Sequence, residues 1–146
     1  MWLSKFFGTY ERPSPSDWVL NSQEFIDWVN SFPWQILRIP LVQKPLVWIP
    51  DIPDTNSMDG VFDVGNNNIL IAGANPSDNQ SLIDALSVGD IAVYHIPQTC
   101  TIHRIVEIKN DKNGRYFKFR GDNNPSSDPY KIRDSDIKWI SIGTIY

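Results

Sequence analysis

Three polar segments of the chain carry residue types that can act in catalysis. The first is a turn with two hydroxyls, Thr55 and Ser57, two residues apart. The second is His103, one of two histidines, within an otherwise apolar stretch. The third is a turn-rich segment in which Asp122 and Asp128 are six residues apart. A serine nucleophile, a histidine that takes its proton and a carboxylate that orients the histidine are the parts of a serine hydrolase.

Each segment also has an ordinary structural interpretation. Ser, Asn, Asp and Gly are common in loops, so Ser57 alone predicts only a loop serine. An isolated strand histidine such as His103 more often has a buried structural role, and Asp122 and Asp128 fit an Asx-turn loop. The other histidine, His95, lies near the end of a strand-like run, which indicates a structural or edge-exposed residue. The combination of these residues is therefore more informative than any one of them.

The elements that must position these residues are predicted to be short β-strands joined by long loops. Apolar runs bounded by Pro, Asp, Asn or Gly are typical of strands, and the turn Asn110–Gly114 predicts a hairpin. The predicted strands are Gln35–Ile39, Leu46–Ile49, Asn68–Ile71, Ile91–Ile96, Thr101–Ile108 and Tyr116–Arg120, followed by a strand pair or one long strand over Ile137–Tyr146. A short helix is expected through Leu82, Ile83 and Leu86, capped within Ser77–Gln80. Short strands and many prolines argue against a parallel α/β sheet, so the predicted fold class is mostly β.

The N-terminal end of the chain differs from the rest. Five of the six tryptophans lie within the first 50 residues. Asn21 and Glu24 fit the start of one short helix, which ends before Pro33. We therefore predict a tryptophan-rich extension with one short helix over residues 1–45 and a β domain over residues 46–146. The tryptophans could lie at a membrane interface, but a small helical cap on the β domain is favoured because no basic amphipathic face accompanies them.

Composition and charge restrict the class of protein. The 146 residues are 41% hydrophobic and 21% charged, which is typical of one ordinary globular domain. The net charge of −4 makes a nucleic-acid partner unexpected. Cys100 is the single cysteine, which excludes an intramolecular disulfide and a multi-cysteine zinc site, and no metal or cofactor is expected. No apolar run reaches 18 residues and no secretory signal is recognisable, so we expect a soluble protein, cytoplasmic or peripheral to a membrane, of open oligomeric state.

Four short blocks, taken in order, resemble signal peptidase I, and most closely its archaeal and endoplasmic-reticulum branch. The blocks are Thr55–Asp59 (TNSMD), Val88–Tyr94 (VGDIAVY), Ile102–Val106 (IHRIV) and Gly121–Asn124 (GDNN), the last with Asp128. The likeness extends over about residues 47–146. It implies the fold that signal peptidases share with self-cleaving repressor-type peptidases.

The resemblance implies a role for each matching residue. Ser57 matches the nucleophile that attacks the scissile carbonyl. His103 occupies the position of the lysine base of bacterial signal peptidases, which is histidine in the archaeal and endoplasmic-reticulum branch. Asp128 matches the acidic residue that assists the base, and Asp122 matches a second aspartate that shapes the site.

Thr55 and Met58, on either side of the nucleophile, match the positions that serve the oxyanion and the substrate. A hydroxyl at Thr55 would stabilise the oxyanion together with the backbone N–H of Ser57, since a tetrahedral oxyanion needs donors already aimed at it. Repressor-type relatives use a lysine base instead, for which Lys109 and Lys118 are weaker candidates than His103.

The chain departs from the family pattern in two ways. Relatives usually have proline two residues after the methionine, where this chain has Gly60. Signal peptidases are also held at the membrane by a terminal span, and no such span is recognisable here. The expectation is a serine endopeptidase of the signal peptidase I type without a membrane span. It would cleave an extended polypeptide with small residues before the scissile bond, in a soluble or phage-type structural partner. The alternatives are a non-catalytic binding or structural protein with this fold, or a self-processing regulator.

Overall fold

The computed structural model describes residues 27, 39, 41–63 and 66–145, and within them six strands form one sheet. The strands are β1 (Leu46–Trp48), β2 (Asn67–Ala72), β3 (Ile91–Ile96), β4 (Thr99–Asp111), β5 (Gly114–Arg120) and β6 (Ile137–Ile145). A helix, α1 (Pro76–Asp84), follows β2, and a 3-10 turn (Asp134–Asp136) precedes β6. The strand order is β1-β2-β6-β3-β4-β5, and all neighbours are antiparallel. The predicted mostly β fold class is confirmed.

The hairpins β3–β4 and β4–β5, at one end of the strand order, carry the candidate site. Strand β3 pairs with β4, with Ala92 opposite His103, and β4 pairs in turn with β5. The second hairpin closes with Asp111 opposite Gly114, whose φ of +100° suits glycine. The predicted strands in this region are therefore confirmed, with β4 longer than expected. The predicted strand Gln35–Ile39 lies outside the described residues except for its last residue.

Helix α1 begins earlier than the sequence predicted. Its N-cap is Asn75, whose side-chain oxygen accepts the Asp78 N–H at 2.9 Å, and Pro76 takes the first helical position. Proline is favoured there because its missing N–H would have no helical partner. The buried Asp78 carboxylate also accepts the backbone N–H groups of Val42 (2.7 Å) and Gln43 (2.9 Å). The segment before β1 is thereby held against the helix.

Side chains alternate between two apolar clusters on opposite faces of β3 and β4. The larger cluster lies between the sheet and α1 and consists of Ile83, Leu86, Ala92, Tyr94, Ile105, Phe117, Phe119, Ile132 and Ile137. The smaller one consists of Ile52, Met58 and Phe62, with Ile91 and Ile102 packed against it. The loop that carries Ser57 is thus anchored by a small core of its own.

Most of the N-terminal extension lies outside the described residues. Before residue 41 only Asp27, which is helical and exposed, and Ile39 are described. The first four tryptophans and the predicted helix after Asn21, apart from Asp27, lie outside the described residues. The domain boundary at residue 45 stays a prediction. No helix in the described part of the chain is long and apolar enough to cross a membrane.

Candidate active site

The loop that carries Ser57 connects β1 to β2 and turns through two left-handed residues. Asn56 has a φ of +57° and Gly60 a φ of +85°. Asparagine tolerates this conformation better than most residues, and glycine adopts it without steric cost. Proline cannot, because its ring holds φ near −65°. The departure from the family pattern at Gly60 therefore has a conformational reason.

Met58 anchors this loop to the protein interior. Its side chain is buried with Ile52 and Phe62, and its sulfur accepts the Asp122 N–H at 3.4 Å. Its carbonyl accepts the N–H of Val61 at 3.0 Å. These contacts fix the turn directly after Ser57, and the predicted role of Met58 in substrate binding stays a prediction.

Two hydroxyls lie close together in the loop. Thr55 Oγ1 lies 3.1 Å from Ser57 Oγ, and either oxygen can be the donor. The Ser57 N–H donates to none of the described residues. Thr55 is exposed and Ser57 half-buried, so both hydroxyls are open to a ligand. Donors in this arrangement could bind an oxyanion, as the resemblance implies for Thr55.

The His103 ring is held in place by a hydrogen bond with Asp128. Its Nδ1 lies 2.8 Å from Asp128 Oδ2, and both side chains are nearly buried, with exposed fractions of 8% and 11%. Tyr94 donates its hydroxyl to the same oxygen, also at 2.8 Å. The Asp128 N–H in turn donates to the Phe119 carbonyl at 2.8 Å. The predicted pairing of a strand histidine with a loop carboxylate is present in the structure.

Gly121 lies where the serine loop and the histidine approach each other. A Cβ built on Gly121 would lie 2.5 Å from the Ser57 carbonyl oxygen and 2.9 Å from His103 Nε2. Both atoms therefore border the same small gap, which only glycine leaves open. No hydrogen bond joins Ser57 to His103 among the described residues; the Ser57 hydroxyl is bonded to Thr55 instead.

The segment Gly121–Asn124 clamps the serine loop in place. The Asn123 N–H donates to the Ser57 carbonyl at 2.9 Å, and Asn123 Nδ2 donates to the Asn56 carbonyl at 2.8 Å. Two donors of Asn123 thus hold the backbone of Asn56, which has a left-handed conformation, and of Ser57. The sequence block Gly121–Asn124 therefore positions the block Thr55–Asp59, although Asn123 and Asn56 are 67 residues apart.

Arg104 joins the remaining blocks to this clamp. Its guanidinium binds Asp122 through Nε (2.8 Å) and Nη2 (2.6 Å), and its Nη1 donates to the Gly89 carbonyl at 2.6 Å. This fork geometry is the strongest form of arginine–carboxylate pairing. Asp122 is therefore bonded to Arg104 rather than to His103, which fits the predicted role of shaping the site.

The two lysines considered as alternative bases make other contacts. Lys118 donates to the carbonyls of Asp128 (2.5 Å) and Tyr130 (2.9 Å), so it fixes the backbone that carries the aspartate. Lys109 pairs with Glu107 at 2.6 Å, and both side chains are about half exposed. Lys118 thus supports the site as a positioning residue.

Sequence reasoning did not single out Tyr94 and Gly121, and it considered Lys118 only as an alternative base. Tyr94 offered one signal, because a tyrosine in a buried strand needs a partner for its hydroxyl. The partner itself is 34 residues away and could not be read from the sequence. Gly121 lies in the fourth sequence block, but nothing there indicated that Ser57 and His103 approach it closely.

An apolar cleft of about 180 Å³ lies beside the serine loop. Its walls are Trp48, Pro50, Asp51, Ile52, Pro53, Leu70, Val93, Cys100, Thr101 and Ile102. Ile52, Pro53 and Ile102 also line the smaller cavity beneath Ser57. Among the described residues, no group of three His, Cys, Asp or Glu side chains could hold a metal ion.

Comparisons with known proteins add no family assignment. Neither a family model, nor a curated protein, nor a solved structure matches the chain. The functional interpretation therefore depends on the geometry of the site and on the resemblance of the four sequence blocks.

Proposed function

We propose that the chain is a serine endopeptidase with the fold that signal peptidases and repressor-type peptidases share. Ser57 is its nucleophile, His103 its general base and Asp128 the carboxylate that orients the base. One observation carries the proposal. His103 is bonded to Asp128 through Nδ1, while its Nε2 borders the gap next to Ser57 that Gly121 leaves open.

The bond to Asp128 determines what the other ring nitrogen can do. A carboxylate only accepts hydrogen bonds, so Nδ1 of His103 must carry a proton. In neutral imidazole the lone pair then lies on Nε2, the nitrogen that a base presents to a serine hydroxyl. The mechanism requires Ser57 Oγ to exchange its partner Thr55 for His103 Nε2 when substrate binds. Catalytic hydrogen bonds often tighten only in the substrate complex.

The proposed reaction follows the general course of serine acyl transfer. Ser57 Oγ bonds to the scissile carbonyl carbon as its proton passes to His103 Nε2. The resulting oxyanion is stabilised by the Ser57 N–H and the Thr55 hydroxyl. The carbon–nitrogen bond then breaks, and the leaving amine takes the proton from His103. Water, deprotonated by the same imidazole, finally hydrolyses the acyl-enzyme and frees Ser57.

The edge of β4 next to the cleft offers a place for an extended peptide. The pairing of β4 with β5 begins at Arg104, so Thr99–His103 has no strand partner on that side within the described chain. Peptides commonly bind such edges by adding a strand. The apolar cleft between Ile52 and Ile102 then receives apolar side chains next to the scissile bond. The expectation that these side chains are small comes from the sequence resemblance to signal peptidases.

The experiment that tests the proposal is to incubate the protein with an extracted proteome and to map new N-termini by mass spectrometry. Cleavage sites should share small residues before the scissile bond, and they should disappear with Ser57→Ala. Ser126→Ala is the matched control, because Ser126 is an exposed loop serine with no bond to Ser57 or His103. The same cleavage sites with Ser57→Ala as with the parent would overturn the proposal.

The Ser57–Thr55 hydrogen bond favours a second candidate function, a non-catalytic protein that binds extended peptides in the cleft. In that case the parent would bind peptide but form no new N-termini, and Ser57→Ala would change neither result. A self-processing regulator is tested in the same samples. An intact 16.7 kDa chain after long incubation would contradict it.

A further inference from the structure

We propose that Tyr94 is a positioning residue of the Ser57–His103 pair, because its hydroxyl shares Asp128 Oδ2 with His103 and so determines which oxygen, and how strongly, the carboxylate offers to the imidazole. This inference rests on the proposed function for its catalytic consequence. Its structural content, the sharing of Asp128 Oδ2 by Tyr94 and His103, can be tested without any activity.

Tyr94 reaches Asp128 from a rigid position in the sheet. It lies in β3, with an exposed fraction of 1%, and its ring contacts Phe119 with a centroid distance of 5.0 Å. Its hydroxyl and His103 Nδ1 are each 2.8 Å from Asp128 Oδ2. One oxygen therefore accepts two hydrogen bonds, one from each of two neighbouring strands.

The direction of the Tyr94 bond is fixed by its environment. Burial raises the pKa of Tyr94 well above its ordinary value, and the hydrogen bond to Asp128 raises it further. The hydroxyl is therefore protonated at any pH at which the protein works, and towards a carboxylate it can only donate. Asp128 is thus the acceptor of both bonds.

Thr101 forms a side-chain hydrogen bond with Tyr94, and the other groups around the pair are held elsewhere. Lys118 donates to the backbone carbonyl of Asp128 and leaves the carboxylate to its two partners. Tyr130 provides the second carbonyl for Lys118. Asp122, the other carboxylate of the loop, is bonded to Arg104. Within the described chain, Tyr94 is accordingly the one side chain that competes with His103 for Oδ2.

Because Tyr94 and His103 share one oxygen of Asp128, the hydrogen bond that His103 donates to the carboxylate is weaker than it would be alone. A carboxylate stabilises a nearby imidazolium, and a hydrogen bond that the carboxylate accepts elsewhere weakens that effect. With Tyr94 in place, Asp128 Oδ2 divides its acceptor strength between the two donors. Without the hydroxyl, it accepts the His103 Nδ1–H more strongly, and the carboxylate loses the second bond that fixes its orientation.

The test is ¹H–¹⁵N NMR of both histidines, with their rings neutral, in the parent, Tyr94→Phe and Tyr116→Phe proteins. In the parent, His103 should carry its proton on Nδ1. In Tyr94→Phe the resonance of this Nδ1–H proton should move downfield, because a stronger hydrogen bond deshields the proton. The resonances of the exposed His95 are an internal reference and should not move. Tyr116→Phe is the matched control, because it removes a phenol hydroxyl from β5 that makes no contact with Asp128.

A second measurement guards against a folding defect in Tyr94→Phe. Replacing all tyrosines with 3-fluorotyrosine makes the phenols stronger donors without removing an atom from the core. The His103 Nδ1–H resonance should then move upfield, and the His95 resonances should stay. An unchanged or oppositely shifted His103 resonance in either protein would overturn the inference. An absence of peptidase activity in the parent would overturn only the proposed function, since these readouts do not depend on it.

Discussion

His103 Nδ1 lies 2.8 Å from Asp128 Oδ2, which joins an imidazole in the middle of β4 to a carboxylate 25 residues further along the chain. The bond leaves His103 Nε2 at the gap beneath Gly121, on the side where the Ser57 loop approaches. The first measurements should therefore concern the histidine.

Replacing His103 with Gln should lower kcat/KM for peptide cleavage by about a thousandfold or more, because the serine loses its proton acceptor. His95→Gln is the matched control, because it removes the other histidine from an exposed position in β3. Its kcat/KM should stay within about twofold of the parent value. Equal losses in the two variants would show that His103 has no special role.

The pH dependence of the parent provides an independent test of the same residue. Because the base acts in its neutral form, kcat/KM should fall when acid protonates the imidazole. The measurement is a pH profile with a stability control at each pH. A rate that does not fall in acid would contradict a histidine base.

Substituting Gly121 with Ala should impair both folding and activity. The added Cβ would lie 2.5 Å from the Ser57 carbonyl oxygen, a backbone atom that cannot swing away like a flexible side chain. We expect a loss of about 1–3 kcal/mol in the free energy of unfolding and a marked loss of kcat. Gly143→Ala is the control, because its Cβ would meet only Ile69 Cδ1 at 3.5 Å. A Gly121→Ala protein as stable and active as the control would contradict the described geometry.

Removing the Arg104 side chain should loosen the clamp around the serine loop. Arg104→Gln leaves Asp122 and the Gly89 carbonyl without their charged donor, which should lower the free energy of unfolding by about 1–3 kcal/mol. Lys109→Gln breaks the exposed pair with Glu107 and should cost much less, because an exposed ion pair is screened by solvent. Urea denaturation of both variants measures the difference, and similar values for the two would count against a clamp.

The ion pairs at the second hairpin predict how stability changes in acid. Hydrogen bonds from Arg133 and Lys131 lower the pKa of Asp111 well below its ordinary value. The unfolded chain therefore takes up a proton first. The stabilisation is complete above about pH 4 and is lost as the pH falls through the lower, folded-state pKa. Asp111→Asn should thus be less stable than the parent at pH 7, and the difference should shrink in acid. A difference of the same size at pH 7 and in acid would contradict this prediction.

The hairpin β4–β5 and the strands around it could be predicted because their signals are local. The turn Asn110–Gly114 and the apolar runs on either side determine a hairpin within about 20 residues, and no distant contact is needed to recognise it. The sequence predicted the N-cap of helix α1 too far along the chain. Its true N-cap, Asn75, precedes Pro76, and a polar segment such as Ser77–Gln80 contains several residues that can cap.

The candidate site could be predicted only as a set of residue types in order. Ser57, His103 and Asp128 were recognisable from the blocks that surround them, but the contacts that arrange them were not. Those contacts join Tyr94 to Asp128 and Asn123 to the serine loop, across 34 and 67 residues respectively. They depend on strand register and loop packing, which single-sequence patterns do not specify.

The most direct test of the central claim is the kcat/KM of Ser57→Ala on a peptide taken from the mapped cleavage sites. The account predicts a loss of at least about a thousandfold relative to the parent, because the variant lacks the hydroxyl that forms the acyl-enzyme. The Ser126→Ala control should cleave at the parent rate. A Ser57→Ala protein that cleaves the same bond at the parent rate would contradict the proposed mechanism.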